Sequence, residues 1–277
     1  MALWQEQEER AGQPLDVFRQ ELRQGWGPRR LGLTSLPLLE PKALVLADWE
    51  QATVFWYLQL IEGVNPEVEV RYPLAGLERA VHEASGRPVY LAAVRPGMKD
   101  ALAGHPVSGV GSVVRVGPGA VASEAAPALR RDLDYGHQIR LLGADFWDER
   151  GQRYAKPQVR NAVVSVSLYW QALRTPDADY SVSVRLVEEG GRVVAQSDLT
   201  HPVLRLSPTS GWRAGEVRGD YHELPARGLG GGPHSVAVIL YGRDASGLRN
   251  LPVYDAGGNP LGESAALAVL ERVEGGG

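Results

Sequence analysis

Val164-Ser165-Val166-Ser167-Leu168-Tyr169-Trp170 alternates residue by residue. Val164, Val166, Leu168 and Trp170 fall on one face of a strand, and Ser165, Ser167 and Tyr169 on the other. Tyr180, Val182, Val184 and Leu186 repeat the pattern, and Gly190-Gly191 supplies a tight turn into a partner strand over Arg192–Gln196. Further strands are expected at Glu216–Glu223, Ser235–Tyr241 and Leu267–Val273. About seven or eight short strands over roughly 140 residues indicate an antiparallel β-sandwich.

Upstream the rhythm changes. Ala43-Leu-Val-Leu-Ala47 is a continuous apolar run, as in parallel strands buried on both faces. Asp48 then offers an N-cap and Gln51 completes a capping-box spacing, so a helix is expected to run to Glu62 and stop at Gly63. A strand over Val68–Tyr72, a short helix over Leu77–Ala84 and a strand over Val89–Val94 follow. Strand, helix, strand, helix, strand at these lengths makes a right-handed parallel unit. The expected class is therefore an α+β composite: a small parallel α/β (βαβαβ) domain followed by an antiparallel β-sandwich. The expected division is a helical and connecting segment over 1–39, the α/β domain over 40–117, a linker over 118–134 and the sandwich over 135–277. The first segment includes a helix at Pro14–Gln24, and Val113–Val116 reads as an edge strand of the α/β domain.

Composition bounds the function. A net charge of -4 argues against general attraction to nucleic acid or anionic lipid. Zero cysteines remove disulfides, thiolate nucleophiles and cysteine-ligated metals. No apolar run reaches the length of a membrane span, and Met1–Gly12 is polar and acidic rather than a signal peptide. If the chain is complete as written, it is expected to stay in the cytoplasm. The six histidines lack metal-ligand spacing, no Ser/His/Asp arrangement has motif support, and no cofactor is expected.

Ligands of open parallel sheets bind beyond the carboxyl ends of the strands, where this chain places Asp48, Tyr72 and Arg95. A carboxylate, a phenol and a guanidinium converging there suit a polar ligand such as a sugar. The bland alternative is that Asp48 only caps its helix and Arg95 is only solvated. Trp49–Ile61 is apolar around most of its girth, which favours burial between layers over a docking surface for a partner. In the β part, Trp170 belongs to the core face. Trp212, after the turn Pro208-Thr209-Ser210-Gly211, and Tyr254 are surface candidates for stacking on a sugar ring, although a packed loop aromatic is the favoured role for Trp212.

Several stretches resemble a known family. They are Ala43-Leu-Val-Leu-Ala-Asp48-Trp49, Trp56-Tyr57-Leu58-Gln59, Pro66-Glu67-Val68, Gly86-Arg87-Pro88-Val89-Tyr90, Leu168-Tyr169-Trp170-Gln171, Gln196-Ser197-Asp198 and Leu251-Pro252-Val253-Tyr254. Together they look like the soluble region after the last membrane span of bacterial multi-spanning glycosyltransferase-like proteins of the protein-mannosyltransferase (GT-C) type and related families of unknown function. The resemblance covers most of residues 40–275. It implies an extracytoplasmic, non-catalytic accessory or binding module beside a membrane glycosyltransferase, recognising glycan or a protein acceptor. The catalytic acids of that family lie between membrane helices that this chain lacks, so no catalytic residue carries over. Two other readings stay open: a purely structural spacer, and a soluble enzyme or small-ligand binder using the carboxyl edge of the α/β sheet.

Overall fold

The computed structural model describes residues 26–272, apart from 75, 84, 85, 96, 149, 160–162, 227, 228, 230, 231, 245 and 246. The helix expected at Pro14–Gln24 lies outside the described residues. The first described half runs α1 (Trp26–Leu33), β1 (Leu44–Leu46), α2 (Trp49–Glu62), β2 (Glu69–Arg71), α3 (Leu77–Glu83), β3 (Val89–Leu91), the single turn α4 (Met98–Ala101), β4 (Val107–Val110) and β5 (Val113–Val116). Its five strands lie in the order β2-β1-β3-β5-β4. β1 pairs parallel with β2 and β3, while β5 pairs antiparallel with β3 and β4.

The unbroken apolar run of β1 has a physical cause: each of its faces feeds a different core. Val45 packs with Phe55, Leu58 and Tyr90 beneath α2. Leu44 and Leu46 pack on the other side with Val89, Leu91 and Val114. Helix α2 stops at Gly63, whose φ of +69° lets the Val64 N–H reach back to the Leu58 carbonyl at 3.0 Å. Val113–Val116, expected at the edge, is instead interior, and β4 forms the edge. The Gly111 turn between them has φ +55°, and a Cβ there would sit 1.8 Å from the Thr34 carbonyl oxygen. Only glycine fits that turn.

The second half comprises β6 (Leu129–Tyr135), β7 (Ile139–Trp147), β8 (Arg153–Tyr154), β9 (Gln158–Val159), β10 (Val163–Ala172), β11 (Ser181–Glu188), β12 (Val193–Leu199), β13 (Val217–Pro225), β14 (His234–Asp244), β15 (Gly247–Asn250), β16 (Val253–Tyr254), β17 (Pro260–Gly262), β18 (Ala265–Val269) and β19 (Glu271–Arg272). One sheet has the order β13-β10-β7-β6-β16-β17, with β8 on β7; the other has β12-β11-β14-β15, with β18 on β14. All these pairings are antiparallel. Val166, Leu168 and Trp170 of the first sheet meet Val182, Val184, Val236 and Val238 of the second in one core. The chain is thus mostly β, with antiparallel sheets packed as in a sandwich. The span 118–134, expected as a linker, contains β6, and Ala122 forms a bridge to Val217. β6 hid because only Leu133 and Tyr135 point inward from Leu-Arg-Arg-Asp-Leu-Asp-Tyr.

The halves touch backbone to backbone. A Cβ on Gly219 of β13 would lie 2.2 Å from the Gly109 carbonyl oxygen of β4. Arg218 Nη1 donates to the Val107 carbonyl at 2.7 Å, and the Gly219 N–H donates to Ser108 Oγ at 2.9 Å. Arg30 of α1 makes a two-pronged ion pair with Glu223, at 3.0 and 3.1 Å. Val203 and Leu206, between β12 and β13, complete the core behind β1. To reach it, Val203, Leu204 and Arg205 take φ values of +59°, +53° and +70°. Left-handed backbone costs about 1–2 kcal/mol per L-residue, more for a β-branched one. The Val203 N–H is pinned by Asp220 Oδ1 at 2.7 Å, which helps to hold this turn.

Candidate functional site

Three loops leave the carboxyl ends of the parallel strands: Asp48 follows β1, Tyr72 follows β2 and Arg95 follows β3. Arg95 ties them together. Its Nε donates to Asp48 Oδ2 at 2.9 Å, its Nη2 donates to Asp48 Oδ1, and its Nη1 reaches the Leu74 carbonyl at 3.5 Å. The expected capping box does not form. The Asp48 side chain makes no cap hydrogen bond, and Gln51 Oε1 is buried with no hydrogen-bond partner among the described residues. An ion pair with a partner 47 residues away has displaced the local alternative.

Beside this pair stands an aromatic cluster. The ring of Trp49, the first residue of α2, meets Tyr72 edge to face at 5.7 Å between centroids and 70° between planes. On its other side it meets Trp56 at 6.3 Å and 76°. Trp49 is 58% exposed and Tyr72 47% exposed, unusual for large rings with nothing covering them. Helix α2 is buried through Ala52, Phe55 and Leu58 only. The expectation that it is covered on several faces therefore fails at Leu60 (81% exposed) and Ile61 (69%). An open groove lined by Pro28, Arg29, Thr53, Val54, Tyr57 and Leu58 runs along its flank, and Arg29 and Glu62 pair nearby.

This edge presents aromatic faces beside hydrogen-bonding groups. Exposed rings stack on C–H faces. A guanidinium has five N–H donors and three are used here, so two remain for hydroxyls beside the free lone pairs of Asp48.

The two candidates in the β half are not part of this edge. Trp212 is only 1% exposed, which corrects its reading as a surface ring. Its Nε1 donates to Ser207 Oγ at 2.8 Å, and the Arg218 guanidinium lies 5.5 Å from the ring centroid. Tyr254 is partly buried on β16, stacked on His137 with 4.4 Å between centroids. Sequence reasoning missed Trp49 and Trp56 as site residues. The available signal was that the residue after a strand-end aspartate opens a helix over the sheet edge.

The loop after Tyr254 is a tight turn organised by Asp255. Its carboxylate accepts from the Asn259 side chain and from the Asn259 and Gly257 N–H groups, at 2.8 to 3.1 Å. Donation from Asn259 first, and then from the backbone, holds the Asp255 carboxyl below the usual carboxylate range. The folded value is depressed, so this contribution is complete above the ordinary aspartate value and is lost as pH falls through the lower folded one. An NMR titration of the Asp255 side-chain carbon should give a midpoint below that of a solvated aspartate, with the Gly257 and Asn259 amide shifts following it. An ordinary midpoint would contradict the turn geometry.

Among the described residues, no group of three or more His, Asp or Glu side chains is placed to hold a metal ion, and no helix is long and apolar enough to cross a membrane. No protein-family model matches the chain, and no curated protein matches it. Among solved structures, the C-terminal domain of wzt is similar at a TM-score of 0.36 and 10% identity, covering 54% of this chain and 83% of that one. An endonuclease/exonuclease/phosphatase from Beutenbergia cavernae DSM 12333 is similar at a TM-score of 0.16 and 10% identity, covering 56% of this chain and 37% of that one. Neither likeness is close enough to transfer a role, and neither links the chain to a membrane glycosyltransferase.

Proposed function

We propose that this chain is a binding module that holds a saccharide at the α/β sheet edge through Trp49, Tyr72, Asp48 and Arg95, and that glycosyl transfer itself takes place in another protein or segment. The single observation that carries this reading is the pair of half-exposed rings, Trp49 and Tyr72, beside the Asp48–Arg95 ion pair. An ion pair alone is commonplace at a surface and contributes little to stability. Uncovered rings next to spare donors and acceptors are the combination that sugar recognition uses.

The natural partner on this reading is a membrane glycosyltransferase-like protein at the extracytoplasmic face, which rests on the resemblance over residues 40–275. The bare apolar end of α2, Leu60 and Ile61, offers that partner a contact. A glycan array probed with wild type and Arg95→Ala tests the saccharide part. Wild type should retain a defined set of glycans and Arg95→Ala should lose them, while its unfolding free energy falls by no more than an exposed ion pair contributes, about 0–1 kcal/mol. A folded wild type that retains no glycan ends this reading.

A further inference from the structure

Away from the aromatic edge, the sandwich holds a hydrogen-bonded chain of hydroxyl, imidazole and carboxylate. Ser197 of β12 lies with its Oγ 3.1 Å from His222 Nδ1, and His222 Nε2 lies 2.9 Å from Asp220 Oδ2. Asp220 and His222 stand two residues apart on β13, so they share a face, and both side chains are wholly buried. Asp220 Oδ1 is already occupied by the Val203 N–H at 2.7 Å. A buried carboxylate needs donors, so the imidazole proton belongs on Nε2, pointing at Asp220. That tautomer leaves the Nδ1 lone pair facing the Ser197 hydroxyl. Nucleophile, base and orienting acid are thus in hydrogen-bond reach in the right order, recognisable by geometry rather than by a sequence motif.

Two further observations point the same way. Ser197 is only partly buried, whereas Asp220 and His222 are wholly buried, and it sits on β12, the edge strand of its sheet. The carboxylate that orients His222 also pins the left-handed turn Val203–Arg205, and strained backbone of this kind gathers at functional sites.

We propose that Ser197 is an activated nucleophile and that this edge of the sandwich is an acyl-transfer site for small carboxylic esters. Ser197 Oγ forms a bond to the ester carbonyl carbon while its proton passes to His222 Nδ1, and Asp220 stabilises the resulting imidazolium at Nε2. The carbon–alkoxide bond then breaks, and the alcohol leaves with the proton from Nδ1. Water repeats the sequence on the acyl-serine, releasing the carboxylic acid and restoring Ser197. His222 is the general base and acid; Asp220 is a positioning residue. The site shares no residue with the aromatic edge and does not depend on saccharide binding.

The test treats the whole chain with a fluorophosphonate probe and, separately, with p-nitrophenyl acetate, comparing wild type with Ser197→Ala. The expected result is one adduct per chain, mapped to Ser197 by peptide mass spectrometry. Ester turnover should exceed that of Ser197→Ala by about 100-fold or more, the contribution expected of a positioned base. Asp220→Asn, where it folds, should slow labelling and lower kcat for p-nitrophenyl acetate while leaving KM little changed. Wild type that melts cooperatively yet labels no faster than Ser197→Ala overturns the proposal, as does an adduct on any other residue. A chain that only braces the two sheets gives that negative result whatever its variants do to stability.

Discussion

Gly219→Val should destabilise the protein by at least ~3 kcal/mol or prevent it from folding. The Cβ position at Gly219 lies 2.2 Å from the Gly109 carbonyl oxygen, and the Gly109 Cβ position lies 2.8 Å from the Gly219 oxygen. Both obstacles are backbone, so no side chain can swing aside to make room. Relief requires β4 and β13 to separate, which would break the Arg218–Val107 and Gly219–Ser108 hydrogen bonds and draw Val203 and Leu206 out of the core behind β1. Gly190→Ala is the control. Gly190 has nothing within 4 Å of its Cβ position, and alanine there should be neutral or stabilise by roughly 0.4–1 kcal/mol through the unfolded chain. Denaturant unfolding of the two variants measures the contrast. A Gly219→Val protein as stable as wild type would mean that the two halves do not meet as described.

Trp212→Ala should destabilise by about 3–5 kcal/mol and leave saccharide binding unchanged. The ring is among the largest fully buried side chains and belongs to the sandwich core. Its removal leaves a cavity, frees Ser207 Oγ from one of its two donors, and uncovers the buried Arg218 guanidinium on which the junction with β4 relies. Thermal melts together with a binding titration separate the two effects. A variant that binds more weakly at unchanged stability would return Trp212 to the ligand surface and place the site in the β half.

What a sequence shows and what it hides can be traced to particular residues here. β10, β11 and β14 are legible because each buries one face in a single core, so period-two alternation survives in the chain. β1 is legible because it buries both faces, which leaves an unbroken apolar run. β4 is not: Val-Ser-Gly-Val reads as loop, yet its serine and glycine are small and polar because another backbone lies against them. β6 is hidden by its outward arginines and aspartates. At the site, Asp48 was legible as a strand-end acid, but its true partner Arg95 could not be chosen over the local Gln51. Capping is written in short spacing, whereas an ion pair between loops is written in the fold. Trp212 stood between a surface ring and a packed loop aromatic for a related reason, since a turn before an aromatic says nothing about what packs over the ring, and the packed alternative is the one the fold adopts. Ser197, Asp220 and His222 are separated by a sheet crossing, and only the two-residue spacing of the last pair could have hinted that they share a face.

The most direct measurement is a calorimetric titration of the glycans selected on the array into wild type and Trp49→Ala. Saturable binding by wild type, weakened at least about tenfold in Trp49→Ala, corresponds to roughly 1.4 kcal/mol from one stacking ring. Since Trp49 is 58% exposed, its loss should barely move the melting temperature. Equal affinity in both proteins, or no heat of binding from a wild type that unfolds cooperatively, would contradict the assignment of the α/β edge as a saccharide site.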